Sequence, residues 1–327
     1  MINRCRKLFR KNRIGMLLLL LAVPAVLSGC NKDTMSEGKA QKGYTLPEIM
    51  IIATAEKNRY EAVCTDQIWG VSISGESGDF ETYLTDQIQS FMEEMKIMNL
   101  LAEKKKISLT SEERATMTEA GDEYYSSLTE TDISHMNVTR EEVQNVYEDY
   151  YLANKLVEEL TKTSNLEVSD SEAKVISIME AKTDDKETAD RLYQTASQEN
   201  ADFQKCAEDL GITVTTRPLG REEAGKEFET AAFALTTNQV SGVITDRGSY
   251  YVLRCLSDYD EAATAERKEI IFKERKRKAF REIYDDFKAG VSLTYSGDPW
   301  EKLNLKDGKY AQNADFFGIY KKYANPG

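Results

Sequence analysis

The stretch that decides the fold is Glu227-Phe228-Glu229-Thr230-Ala231-Ala232-Phe233-Ala234-Leu235, with Asn238-Gln239-Val240-Ser241 and Ser249-Tyr250-Tyr251-Val252-Leu253-Arg254 after it. Lys226–Leu235 reads as a short helix. Val240–Thr245 and Tyr250–Leu256 read as the two strands of a hairpin across Asp246-Arg247-Gly248. Upstream, Lys174–Met179 is short and rich in β-branched residues, and Ile212–Arg217 alternates like a strand. Between them, Lys186–Gln198 and Ala201–Leu210 have helical patterning. The order β-α-α-β-α-β-β predicts a small α+β domain over 167–258.

On either side the texture is helical. Thr45-Leu46-Pro47 opens a helix with proline in its first turn, where the missing N–H costs nothing. Asp79 caps a second that runs to about Lys106, with Leu84, Ile88, Phe91, Met92, Met95, Met98, Leu101 and Ala102 at the 3.6 period. Met92, Met95 and Met98 read as core, the alternative being an adaptable client surface. Thr110–Glu113 and Thr139–Glu142 carry capping-box spacing for two more helices. His135, between these helices, reads as a loop residue.

Beyond the mixed segment, 262–289 is a long charged helix. Ile270, Ile271, Ala279, Ile283 and Phe287 form its stripe, and Phe272, Phe280 and Tyr284 a second edge. A stripe that wide needs a partner, and we expect it on the N-terminal helices. Arg275–Lys278 reads as a solvated basic run among acids. The expected organisation is therefore a helical domain from 45–166 and 259–290, an insert at 167–258 whose ends lie close together, and a polar tail at 291–327.

A length of 327 residues suits two domains, and 41% hydrophobic with 30% charged residues suits packed cores. His135 is the one histidine, which excludes a His-rich metal site and any pairing of two imidazoles. No CxxC pair is present, so no structural zinc site and no other metal or cofactor is expected. A net charge of −13 argues against nucleic acid as a partner.

Met1–Arg13 holds six basic residues and no acid, and Ile14–Leu27 is almost wholly apolar. As a helix that run would reach about 21 Å, short of the roughly 30 Å hydrocarbon core, so it reads as a secretory signal over 1–29. Leu27-Ser28-Gly29-Cys30 resembles the bacterial lipoprotein lipobox. That resemblance implies lipid on Cys30, a tether at 30–44, and work outside the cytoplasmic membrane, where ATP is not available. Removing the signal takes the net charge to −19. Cys206 lies at helical spacing with Phe203, Ala207 and Leu210 and reads as a core thiol, the alternative being a disulfide with Cys255.

The run from Glu227 to Leu235 resembles the parvulin peptidyl-prolyl isomerase signature, a PEFEKAAFSL-type sequence. Asn238–Ser241 resembles that family's GEVS turn, Ser249–Arg254 its GYHIIK strand, and Ala201-Asp202-Phe203 the start of one of its helices. Lipobox, helical region, parvulin-like insert and C-terminal helix together resemble the PrsA and SurA class of extracytoplasmic foldases. The resemblance implies a four-stranded antiparallel sheet with helices. It also implies a proline pocket of Leu219, Ala224, Phe228, Phe233 and Tyr251. The family's two site histidines are absent: Val175–Met179 holds none, and Tyr251 stands where the second is expected.

Prolyl isomerisation forms no covalent intermediate; it crosses a rotational barrier of about 18–20 kcal/mol. A catalyst lowers that barrier by placing the imide in an apolar pocket that favours the twisted form. The resemblance implies a membrane-anchored folding factor for unfolded exported polypeptides, with a degenerate site. An active isomerase and a non-catalytic surface binding lipoprotein are the two alternatives.

Overall fold

The computed structural model describes residues 40–73, 78–306 and 315–324. The signal, lipobox and most of the tether lie outside them. In chain order the elements are β1 (Gln41–Lys42), α1 (Leu46–Cys64), α2 (Phe80–Lys105), α3 (Ser111–Ser127), α4 (Glu130–Met136) and α5 (Arg140–Thr161). Then come α6 (Asp170–Ala173), β2 (Val175–Thr183), α7 (Lys186–Ala196), α8 (Phe203–Glu208), β3 (Val214–Gly220) and α9 (Lys226–Phe233). The chain continues through β4 (Ile244–Asp246), β5 (Ser249–Ser257), α10 (Glu261–Lys288), β6 (Leu293–Thr294), α11 (Pro299–Lys302) and α12 (Phe316–Ala324). The described residues fall into two compact units, one of those up to Thr163 with those from Ala279 onward, the other of residues 164–278.

The helical unit starts its helices with reciprocal caps. Thr45 with Glu48, Thr110 with Glu113, Thr129 with Asp132 and Thr139 with Glu142 each satisfy two backbone donors that a helix start leaves open. The third of these caps α4. His135 therefore lies on a helix, not in the expected loop, and lines a small apolar cleft with Leu46, Pro47, Met50 and Met136. Met92, Met95 and Met98 are fully buried with Leu84, Ile88 and Phe91, so the α2 methionines are core. A short parallel pairing joins β1 to β6, Gln41 to Leu293 and Lys42 to Thr294.

The mixed unit is an antiparallel sheet in the order β3-β2-β5-β4. Side chains alternate between faces, and each face has its own apolar cluster. On one, Ile176 and Ile178 of β2 and Leu253 and Cys255 of β5 pack with Leu219, Phe228 and Ala232. On the other, Ala181 and Val252 pack with Ala189 and Leu192 of α7 and Phe203 and Ala207 of α8. A register shift interrupts the β2–β5 pairing between Ser177 and Ile178.

The structure differs from the expected boundaries. The mixed unit ends at Lys278, within α10, and not at 258. Charge pairing explains why the first turns of this helix belong to it. Lys268 pairs with Asp170 at 2.6 Å, Arg275 with Glu172, and Arg267 with Glu223. Ile270 is 51% exposed and Phe272 38%, so that part of the expected stripe is not buried. From Ala279 onward the helix joins the helical unit, burying Phe280 and Tyr284.

The strand that opens the sheet meets the turn that follows its last strand. Asp260 N–H donates to the Val175 carbonyl at 2.9 Å, and Val175 N–H to Thr264 Oγ1 at 3.0 Å. The expected polar tail is partly core as well, since Leu303, Leu305 and Phe316 are buried in the helical unit. Cys206 and Cys255 are free thiols, not a disulfide.

Candidate functional site

The five residues expected around a proline pocket gather on one face of the mixed sheet. Leu219 ends β3, Ala224 lies in the turn after it, Phe228 and Phe233 belong to α9, and Tyr251 is on β5. All five belong to the cluster containing Ile176 and Ile178. Glycine eases part of this layout: a Cβ on Gly225 would meet the Asp246 carboxylate at 2.3 Å, and that side chain would have to swing away.

The five split by depth. Leu219 and Phe228 are buried, Phe228 at 2% exposure, while Ala224, Phe233 and Tyr251 are half-buried at the rim. The Tyr251 ring stands edge-on to the Phe228 ring, with centroids 5.3 Å apart and planes at 87°. This is a favoured aromatic arrangement and it covers the Phe228 ring. Tyr251 thus fills space beside Phe228 at the position where the resemblance implied a histidine.

Sequence reading missed a set of cations over these rings. The Arg217 guanidinium lies 5.5 Å from the Phe228 centroid, Arg221 3.9 Å from Phe233, and Lys182 Nζ 5.8 Å from Tyr251. Arg217 Nε also donates to Glu180 at 2.9 Å, and Arg221 pairs with Glu229 at 3.5 Å. The pairing of β2 with β3, Ile178 opposite Arg217, brings the first of these in. It was legible only as strand alternation ending in a basic residue.

The chemistry available is limited. The domain has no imidazole, since the chain's one histidine is His135 in the helical unit. Cys255 sits in the floor of the cluster, where burial pushes its thiol pKa up, away from a reactive thiolate. What remains is an apolar, aromatic-rimmed surface studded with paired cations.

An antiparallel four-stranded sheet with helices on both faces and this apolar cluster defines the parvulin class of domain. Residues 138–264 match the family model described as PPIC-type PPIase domain, so this segment of the chain is similar to that family. The match starts at Val138, ahead of α5, and so reaches into the helical unit.

Among solved structures, foldase PrsA from Streptococcus pneumoniae str. Canada MDR_19A is 18% identical, covering 71% of this chain and 97% of that one, with a TM-score of 0.25. PrsA from Bacillus cereus is 17% identical over 78% of this chain and 100% of that one, TM-score 0.31. A structure described under two SurA-like chaperones of Campylobacter jejuni is 12% identical over 69% and 92%, TM-score 0.27. No curated protein matches the sequence.

Proposed function

We propose that this chain is a lipid-anchored extracytoplasmic folding factor that holds unfolded exported polypeptides, with a PPIC-type domain that binds rather than rapidly isomerises. The observation that carries this reading is the state of Phe228, which is 2% exposed with the Tyr251 edge at 5.3 Å and Arg217 at 5.5 Å. A twisted prolyl imide needs an open apolar slot, and here the ring that would line it is enclosed. Lipid anchoring rests on Leu27–Cys30, and a Cys30→Ala chain is expected to be released or left unprocessed.

The test uses soluble protein beginning after Cys30. Suppression of aggregation of an unfolded protein is expected, with little acceleration of a prolyl tetrapeptide. Any residual rate should show no inflection near the ordinary histidine pKa of about 6.5. A robust rate that titrates there would overturn the assignment of the site. The retained cluster of Leu219, Phe228 and Phe233 favours one second reading, an active isomerase working by burial alone.

A further inference from the structure

In the helical unit, α12 lies in an aromatic groove built by α2, α3 and α5. Phe316 is fully buried, its ring 4.2 Å from Tyr147, 5.7 Å from Tyr150 and 6.3 Å from Tyr124. Phe317 meets Phe91 at 6.1 Å, and Tyr320 meets Tyr150 at 4.5 Å. At the rim, Tyr323 Oη donates to Glu123 at 2.8 Å and Lys322 pairs with the same carboxylate at 2.5 Å. Asp315 caps the helix start by accepting from Gly318 N–H at 2.9 Å.

Helix α12 is short, and the groove it occupies is held by separate contacts. It has nine residues, fewer than the roughly 12–15 an isolated helix needs even to be marginal, so the groove supplies its order. The groove itself is fixed by other contacts. A Cβ on Gly121 of α3 would meet the Gln144 backbone of α5 at 2.8 Å, so these helices are in close approach through glycine. Met117, Ala120, Val143 and Val146 are buried beside that crossing. Without α12, the α3–α5 pair would present Tyr124, Tyr147 and Tyr150 as an aromatic trough with an acidic edge at Glu123.

We propose that this trough is a client-binding groove held shut by α12 as an internal pseudo-client. Its partner in trans is an amphipathic helical segment with aromatic side chains at i, i+1, i+4 and i+7, the pattern of Phe316, Phe317, Tyr320 and Tyr323, and a basic residue facing Glu123. This rests on the reading that the chain holds unfolded polypeptides. Backbone recognition adds little specificity, since the one main-chain contact from the trough side chains is Tyr147 Oη donating to the Phe316 carbonyl at 3.0 Å among the described residues.

The test compares the soluble chain with a Phe316→Ala/Tyr320→Ala variant, using a labelled peptide of residues 315–324 and a reduced, carboxymethylated unfolded protein as probes. The variant is expected to bind both at least tenfold more tightly than the intact chain, and the peptide to compete with the unfolded protein. If the folded variant and the intact chain bind the unfolded protein equally, and the peptide does not compete, the groove proposal falls while the holding function stands. If neither chain binds the unfolded protein, the holding function itself falls. Should the double variant lose its cooperative melt, Lys322→Glu provides the same comparison from the exposed rim. It sets a carboxylate against Glu123 from the helix side while leaving the groove's own residues unchanged, and unchanged binding there overturns the proposal.

Discussion

At the residue scale, Phe228 separates packing from chemistry. Its ring lies edge-on to Tyr251 in the buried cluster that also holds Ile178, Leu219 and Leu253, so removing it leaves a cavity in the floor of the sheet. Phe228→Ala is expected to cost about 3–5 kcal/mol in a denaturant titration of the mixed unit. Tyr251→Phe keeps the edge-on ring contact and should cost well under about 1 kcal/mol. Similar, small losses in both variants would mean that Phe228 is a free pocket wall. The sequence made these residues legible through the resemblance of Glu227–Leu235 and Ser249–Arg254 to parvulin motifs. It did not reveal the cations over the rings, because Arg217, Arg221 and Lys182 are brought in by strand register and turn geometry, which hydropathy patterns do not encode. The cap of α4 was missed for a related reason. Thr129 pairs with Asp132, a shorter acid than the usual glutamate of the capping box.

At the element scale, α10 is divided by what its side chains meet. Phe280 is buried in the helical unit and Ile270 is 51% exposed. Phe280→Ala should therefore destabilise that unit by about 3–5 kcal/mol, and Ile270→Ala should change stability by no more than about 0.5 kcal/mol, both read from urea midpoints. Equal losses would show a partner for the first half of the helix. The periodicity announced a helix here but not its division, because Ile270 and Phe272 look like core to any hydropathy count. Salt bridges from Lys268 and Arg275 decide their side instead.

The start of α2 offers a pH test. Asp79 accepts from Thr82 N–H at its capping position and pairs with Lys306 at 2.9 Å. The hydrogen bond from the Lys306 ammonium, aided by that backbone donor, holds the Asp79 carboxyl down at about 2. A folded pKa below the unfolded value gives stability that is present above about pH 4 and lost as pH falls towards 2. Asp79→Asn keeps a capping oxygen and removes the titration. It should flatten the acid limb of stability between about pH 4 and pH 2, measured by thermal melts across that window. An unchanged acid limb would place the coupling elsewhere.

At the scale of the whole molecule, two units with separate apolar clusters should melt as two transitions. A protein of residues 164–278 alone is expected to fold, because hydrogen bonds among Val175, Asp260 and Thr264 tie the start of its sheet to the start of α10 and helices cover both sheet faces. Joining 163 to 279 through a short Gly/Ser linker should leave a helical protein with one cooperative calorimetric peak. An unfolded chain in either case would mean that the units depend on each other. The order of elements and the first cut, expected at 166 and found at 163, were readable from sequence, but the cut at 278 was not, because a domain edge inside a continuous helix leaves no glycine or proline signal.

The discontinuity of the helical unit also sets an order in time. Phe91, Tyr124 and Tyr147 emerge early from the ribosome or export channel, yet Phe280, Tyr284 and Phe316, which complete their core, follow the entire mixed unit. At roughly 5–20 residues per second, that interval is on the order of ten seconds. Throughout it, the nascent helices hold unburied aromatic surface while the later insert finishes folding on its own local contacts. A newborn chain of this kind passes through the same exposed condition as the polypeptides it is proposed to hold, and so is itself a candidate for capture by mature copies already in place.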